Sequence, residues 1–225
     1  METSLNLQEW FGGIDIYIFD QLLKGRFVPG MRVLDAGCGS GRNLVYFLRS
    51  GYEVFGVDES APQIAKVREM AAALAPHLPA ENFRVGSVER LSAVFADYKT
   101  ANSNQQSVDS LSGNAEGFDV VLSSAVLHFA RDEEQWQAMV NEMWRVLKPG
   151  GIFFARLAST IGVEDQIKLI DGRRYRLPDG SDRFLVDAEM LHSVTTALGG
   201  EFIEPIKTTV VENMRAMTTW VARKE

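Results

Sequence analysis

Apolar residues change their spacing repeatedly along the chain, and each change predicts an element. Ile14, Ile18, Leu22 and Leu23 recur at helical spacing, so a first helix is expected ahead of Pro29-Gly30. MRVLDAG, from Met31, reads as a strand buried on both faces. NLVYFLRSG follows as a helix closed by Gly51, and EVFGVD, Glu53 to Asp58, as a second strand. Ser60 stands where it can cap the next helix, whose Ile64, Val67, Met70 and Leu74 share one face before Pro76. FRVGS and FDVVLSS are the third and fourth strands. Asp132 is placed to cap a helix carrying Trp136, Met139, Val140, Met143 and Leu147; Pro149-Gly150-Gly151 stops it, and GIFFARLA is the fifth strand. Strands alternating with helices predict parallel pairing through right-handed crossovers.

Two segments break this rhythm. Residues 97–117 are rich in Ser, Asn and Gln and poor in apolar groups, which predicts a mobile inserted loop. Residues 164–183 mix acidic and basic side chains around a Pro-Asp-Gly turn and suggest a hairpin-like excursion that can act as a cap. A helix from Asp187 to Leu198 is then stopped by Gly199-Gly200. The tail TTVVENMRAMTTWVAR holds two β-rich runs around Glu212-Asn213, the pattern of an antiparallel hairpin.

Composition narrows the class. With 225 residues, 46% of them apolar, one α/β domain can bury a full core. A net charge of −7 argues against a polyanion such as nucleic acid as the main partner. Cys38 stands alone, so no intrachain disulfide forms, which suits the cytoplasm. METSLNLQEW has no apolar signal-peptide region, and no run is long enough for a membrane span, so no membrane partner is expected. No His/Cys cluster has metal-ligand spacing, so no metal site is expected. Oligomeric state is left open.

The chemistry gathers at VLDAGCGSGRN, Val33 to Asn43. A phosphate-binding P-loop needs a Lys-Ser or Lys-Thr after the glycines, and none follows. A dinucleotide fingerprint needs a third glycine where Arg42 stands. Asp35, within the strand, suits a cationic amino group better than a pyrophosphate. Asp58 ends the second strand about 20 residues beyond Gly37, where a carboxylate can take two ribose hydroxyls. These residues suit an adenosine with an amino-acid-like tail.

VLDAGCGSG, VFGVD, FDVVLSSAVLHF and WRVLKPGGIFF, in this order, resemble the class I S-adenosylmethionine-dependent methyltransferases over roughly Met31 to Leu157. The resemblance implies a doubly wound, Rossmann-like, mostly parallel seven-stranded sheet with helices on both faces and a C-terminal antiparallel hairpin. It also implies S-adenosylmethionine as cofactor. Gly37 and Gly39 would pass under its methionine part, which Asp35, Ser123 and Ser124 would meet. Asp58, with Glu59, would hold the ribose, and Ser87 and Val88 the adenine. Ser87 stands where many members carry Asp.

His128 and Tyr17 are the candidates for catalysis. His128 matches the first histidine of a Leu-His-His variant in the family, with Phe129 in place of the second; a structural histidine is the alternative. Trp10, Phe11 and Tyr17 offer either a lid or ordinary packing. Arg183 and Tyr175 are the candidates for acceptor contact. The chain has no Asn/Asp-Pro-Pro-Tyr/Phe stretch and no Pro-Cys pair of nucleic-acid methylating enzymes, which favours a small-molecule acceptor. Two rivals stand beside methyl transfer: a non-catalytic S-adenosylmethionine-binding module and an NAD-dependent oxidoreductase.

Overall fold

The computed structural model describes residues 6–96 and 117–225. The stretch expected as an inserted loop therefore lies, except for Gly117, outside the described residues.

Each expected strand forms where alternate positions both need burial. These are β1 (Arg32–Ala36), β2 (Glu53–Asp58), β3 (Phe83–Val85), β4 (Phe118–Ser124) and β5 (Leu147–Ser159). They pair in parallel, with β4 and β2 on either side of β1. Successive side chains go to opposite faces. Leu34, Phe55, Val121 and Phe153 enter one core, while Val33, Val54, Val120 and Phe154 enter the other. Both faces are therefore covered by helices. On the second face lie α1 (Leu7–Phe11), α2 (Ile16–Leu23), α3 (Val45–Arg49) and α4 (Ala61–Leu74). On the first lie α5 (Leu91–Val94), α6 (Glu133–Val146) and α7 (Ala188–Ala197).

Beyond β5 the chain makes a small sheet of β6 (Lys168–Asp171), β7 (Arg174–Arg176) and β8 (Asp182–Phe184), all antiparallel. The expected excursion is thus two hairpins in succession. It is anchored: Phe184 stacks on Trp136, and Leu177 and Leu185 pack with Ala158. The chain then adds β9 (Gly200–Phe202), β10 (Lys207–Val211) and β11 (Arg215–Lys224). The main sheet runs β10-β11-β5-β4-β1-β2-β3, the seven strands expected, with short β9 pairing on β11 as an eighth.

Local details depart from the sequence pattern in three places. The first expected helix starts after Ile14, as α2 capped by Asp15, and a short unexpected helix, α1, precedes it on the other side of Gly12-Gly13. Ser60 occupies the cap position of α4, but its hydroxyl makes no capping bond; its amide donates to Asp58 Oδ1 at 2.9 Å instead. Pro149-Gly150-Gly151 is not a turn outside the sheet. Phe118 pairs with Leu147 and Val120 with Ile152, so these residues form an irregularity inside β5. Among the described residues no helix is long and apolar enough to cross a membrane.

Candidate active site

Strand order reverses between β1 and β4, so their carboxyl ends leave a crevice between them. The glycine loop fills its floor. Gly37 and Cys38 donate their amides to Val57 O at 2.8 and 2.9 Å, and Gly39 donates to Asp58 Oδ2 at 2.9 Å. A side chain at Gly37, whose φ is +82°, would run into Val126. Gly41 has another reason to be glycine, because a Cβ there would strike Met70 and Val67 of α4. The third glycine thus serves helix packing.

Above this loop lies a cavity of about 250 Å³. Gly37, Asp58, Glu59, Ser87 and Val88 line it, so five of the expected cofactor residues come together. Asp58 keeps acceptor capacity. Each of its oxygens takes one backbone amide, and a carboxylate offers about four lone-pair sites. Sequence reasoning missed Val126, Phe129, Met139, Glu89 and Gln135 in the same wall. Gln135 had a local signal, being in the first turn of the helix that Asp132 caps. It donates to the Glu89 carboxylate across the cavity.

The remaining cofactor candidates, Asp35, Gly39, Ser123 and Ser124, are not in this wall. Gly39 is held by Asp58 with open space where a side chain would go. Asp35 is 1% exposed; no group meets its oxygens in good hydrogen-bond geometry, and the Asn43 side chain is the one neighbour near enough to interact as a donor. Burial pushes its pKa up to about 7, against the pull of the Arg42 charge. Ser123 Oγ is likewise buried without a partner. Ser124 is engaged, donating to Asp15 Oδ2 at 2.9 Å and accepting from Arg42 at 3.0 Å.

Asp15 was not singled out in the sequence, although a residue capping an apolar-periodic helix is a readable signal. It is 4% exposed and gathers three elements and the glycine loop. Its amide donates to Asn43, one oxygen caps α2 at Tyr17, and the other meets Ser124 and, at 3.2 Å, Arg156. Arg156 is a charge in the otherwise apolar run of β5. Its guanidinium lies 5.3 Å from the Tyr17 ring centroid, and Tyr17 bonds Thr209 through its hydroxyl. Tyr17 therefore sits behind the crevice and lines neither cavity.

A second cavity, of about 340 Å³, is lined by His128, Arg156 and Arg183 among others. Phe129 belongs to the walls of both cavities, which adjoin at its ring. Arg183 lies over that ring at 4.8 Å. Tyr175 is not in the wall; it packs with Leu177, Leu185 and Ala158 behind it. Ala125, also in the wall, has φ 63°, a left-handed conformation that costs an alanine roughly 1–2 kcal/mol and marks strain where the cavities meet. His128 accepts the Ala158 amide at Nδ1, 3.3 Å away, so its neutral ring carries the proton on Nε2. Burial first, then the charges of Arg183, Arg156 and Arg215, push its pKa down to about 4. Among the described residues no group of three or more His, Cys, Asp or Glu side chains can hold a metal.

Comparison with known proteins agrees with this geometry. The family model described as methyltransferase domain matches residues 34–155. A mitochondrial ubiquinone biosynthesis O-methyltransferase of Rattus norvegicus is 31% identical over 61% of the chain and 36% of its own length. A ubiquinone biosynthesis O-methyltransferase of Mesorhizobium japonicum is 28% identical over 93% of the chain and 77% of its own length. For several curated relatives the match spans only about a third to a little over half of their length. Among solved structures, a 1,6-didemethyltoxoflavin-N1-methyltransferase of Burkholderia thailandensis, with its acceptor and S-adenosylhomocysteine bound, shares the fold. Its TM-score is 0.62 at 18% identity, over 92% of this chain and 75% of that one.

Proposed function

The chain belongs to the methyltransferase domain family, and from that premise we propose that it transfers a methyl group from S-adenosylmethionine to a small-molecule acceptor. The observation that carries this reading is the buried Asp35 carboxylate, which has no ion pair and only Asn43 and the more distant Arg42 charge to offset it, beside a glycine loop that opens onto the Asp58 cavity. A buried, unpaired carboxylate is costly, and a cationic amino group relieves it. A pyrophosphate would make it worse, which counts against NAD.

In this reading Gly37 and Gly39 let the ligand approach the backbone, and Asp58 with Glu59 accepts the ribose hydroxyls. Ser87 and Val88 face the adenine. Asp35 and Ser123, with Ser124 behind them, receive the amino-acid end. The cofactor supplies an already activated sulfonium methyl, so the protein has mainly to align and desolvate the reactants. Phe129 and Ala125 exclude water where the two cavities meet. His128 offers Nε2–H to the acceptor as a donor, because Nδ1 is occupied by the Ala158 amide. Tyr17 supports the site through Arg156. Arg183 contacts the acceptor, and Tyr175 props the wall behind it. The reading takes the chain as one domain working in the cytoplasm, with Cys38 kept reduced and neither nucleic acid nor membrane as partner.

Calorimetry tests it directly. S-Adenosylmethionine and S-adenosylhomocysteine should bind, and NAD should not at comparable concentration; tight NAD binding without the other two sinks the proposal. Release of S-adenosylhomocysteine with a panel of small acceptors separates transfer from binding alone.

A further inference from the structure

Three guanidinium groups from distant parts of the chain meet at the cavity that His128 lines. Arg156 comes from β5, Arg183 from β8 and Arg215 from the first position of β11. Against them the wall holds one carboxylate, Asp179. Its Oδ1 is already taken by the Ser181 amide at 2.9 Å and hydroxyl at 2.6 Å. Asp15 neutralises Arg156 from behind without entering the wall. Even with that pair removed, two arginines face one engaged carboxylate, in a protein whose net charge is −7.

The arginines keep unused donors. Arg183 gives one N–H to the Asp182 carbonyl and lays its plane near Phe129. Arg215 is exposed and has no close ion pair among the described residues, although the Asp179 carboxylate feels its charge and that of Arg183. Arg156 has a buried Nε–H without a partner. Like charges gathered in one concave wall repel each other. His128 records the resulting potential, since all three arginines disfavour its protonated form after burial has done so.

We infer that this cavity recognises its acceptor by an oxyanion, a carboxylate or a phosphate ester, held by the forked donors of Arg183 and Arg215. The inference rests on the methyltransferase reading, which makes this cavity the acceptor site. Phe129, Leu177 and Met217 supply an apolar wall for the acceptor's body. The anion is a handle and not the methylated atom. Oxygens whose lone pairs are engaged by guanidinium groups are weakened as nucleophiles, so the reacting atom sits at the other end, beside Phe129. A neutral His128 helps here, donating from Nε2 without adding a fourth cation.

The test is an NMR titration of the full chain, saturated with S-adenosylhomocysteine, by benzoate, phenyl phosphate and benzamide. These probes share a ring and differ in charge. Benzoate or phenyl phosphate should bind at least about tenfold tighter than benzamide, the low end of what hydrogen bonds to a charged group give. The tighter of the two identifies the oxyanion. Arg183→Gln and Arg215→Gln should each largely erase the preference while S-adenosylhomocysteine affinity stays unchanged. Arg215 is exposed, so its substitution spares the fold. Equal affinity for benzoate and benzamide overturns the inference, and so does a preference that survives both substitutions. A chain that fails to bind S-adenosylhomocysteine would instead sink the methyltransferase reading, and the anion preference can still be read on it.

Discussion

Asp35 and Asp58 begin as similar strand-end carboxylates and are given opposite environments. Asp58 accepts two backbone amides and stays at the rim of its cavity. Asp58→Ala should weaken S-adenosylhomocysteine binding by about 1.5–3 kcal/mol, as expected for hydrogen bonds to a charged group. Unchanged affinity by calorimetry would assign Asp58 to loop structure alone. Asp35 accepts no backbone amide, and burial raises its pKa from 3.8 to about 7 against Arg42 and Asn43. Between these values the folded chain keeps a proton that the unfolded chain has released. Stability contributed by this group is therefore full below about pH 4, falls as pH rises to 7, and does not return above it. Asp35→Asn removes the titration. Its melting temperature without cofactor should exceed that of the parent at pH 8 and converge with it near pH 4, while its affinity for S-adenosylmethionine drops. A parent that is the more stable at pH 8 would mean that Asp35 is solvated or paired.

At the scale of elements, legibility followed the range of the interactions. The faces of α4 and α6 and the strands β1, β2 and β4 were readable because period and caps are local signals; Ile64, Val67, Trp136, Met143 and the Asp132 cap stand as the spacing implies. Of the five expected cofactor residues that meet in one cavity, Gly37 and Asp58 were legible from the loop and the strand end, while Glu59, Ser87 and Val88 came from the family resemblance. The three-arginine wall was not legible, because Arg156, Arg183 and Arg215 belong to three strands that converge only after folding. Nor was the left-handed Ala125, since alanine carries no signal for it. The β10-β11 turn lies between these cases. Its place was visible at Glu212-Asn213, and both residues have positive φ, 49° and 55°, closing a Val211–Met214 turn of 2.8 Å. This is the primed geometry that prefers Asn-Gly. Glu212→Asn combined with Asn213→Gly should raise stability by about 0.5–1 kcal/mol in denaturant titration. Cofactor affinity should not move, because the turn lies outside the cofactor cavity. A loss of stability would show that the Glu212 side chain contributes more than its backbone strain removes.

For the whole molecule, charge and enclosure together select the partner. A chain at −7 disfavours polyanions as partners, while three guanidinium groups line one cavity. That cavity holds about 340 Å³, near the lower end of small-ligand sites at roughly 300–1,000 Å³. Part of its wall is the β7–β8 connection with Arg183 of β8, tied down by Phe184 in the core and by the Ser159–Val186 bridge. Swinging β8 away to widen the site would mean extracting Phe184 from its stack on Trp136, a cost of several kcal/mol for a buried aromatic. A small anion needs no such opening. With tritiated S-adenosylmethionine and fractionated cell extract, label should therefore enter the acidic small-molecule fraction and leave tRNA, DNA and bulk protein unlabelled. Efficient labelling of any of these polymers would show that the wall moves, and would make the β6-β7-β8 sheet a docking surface in place of a cap.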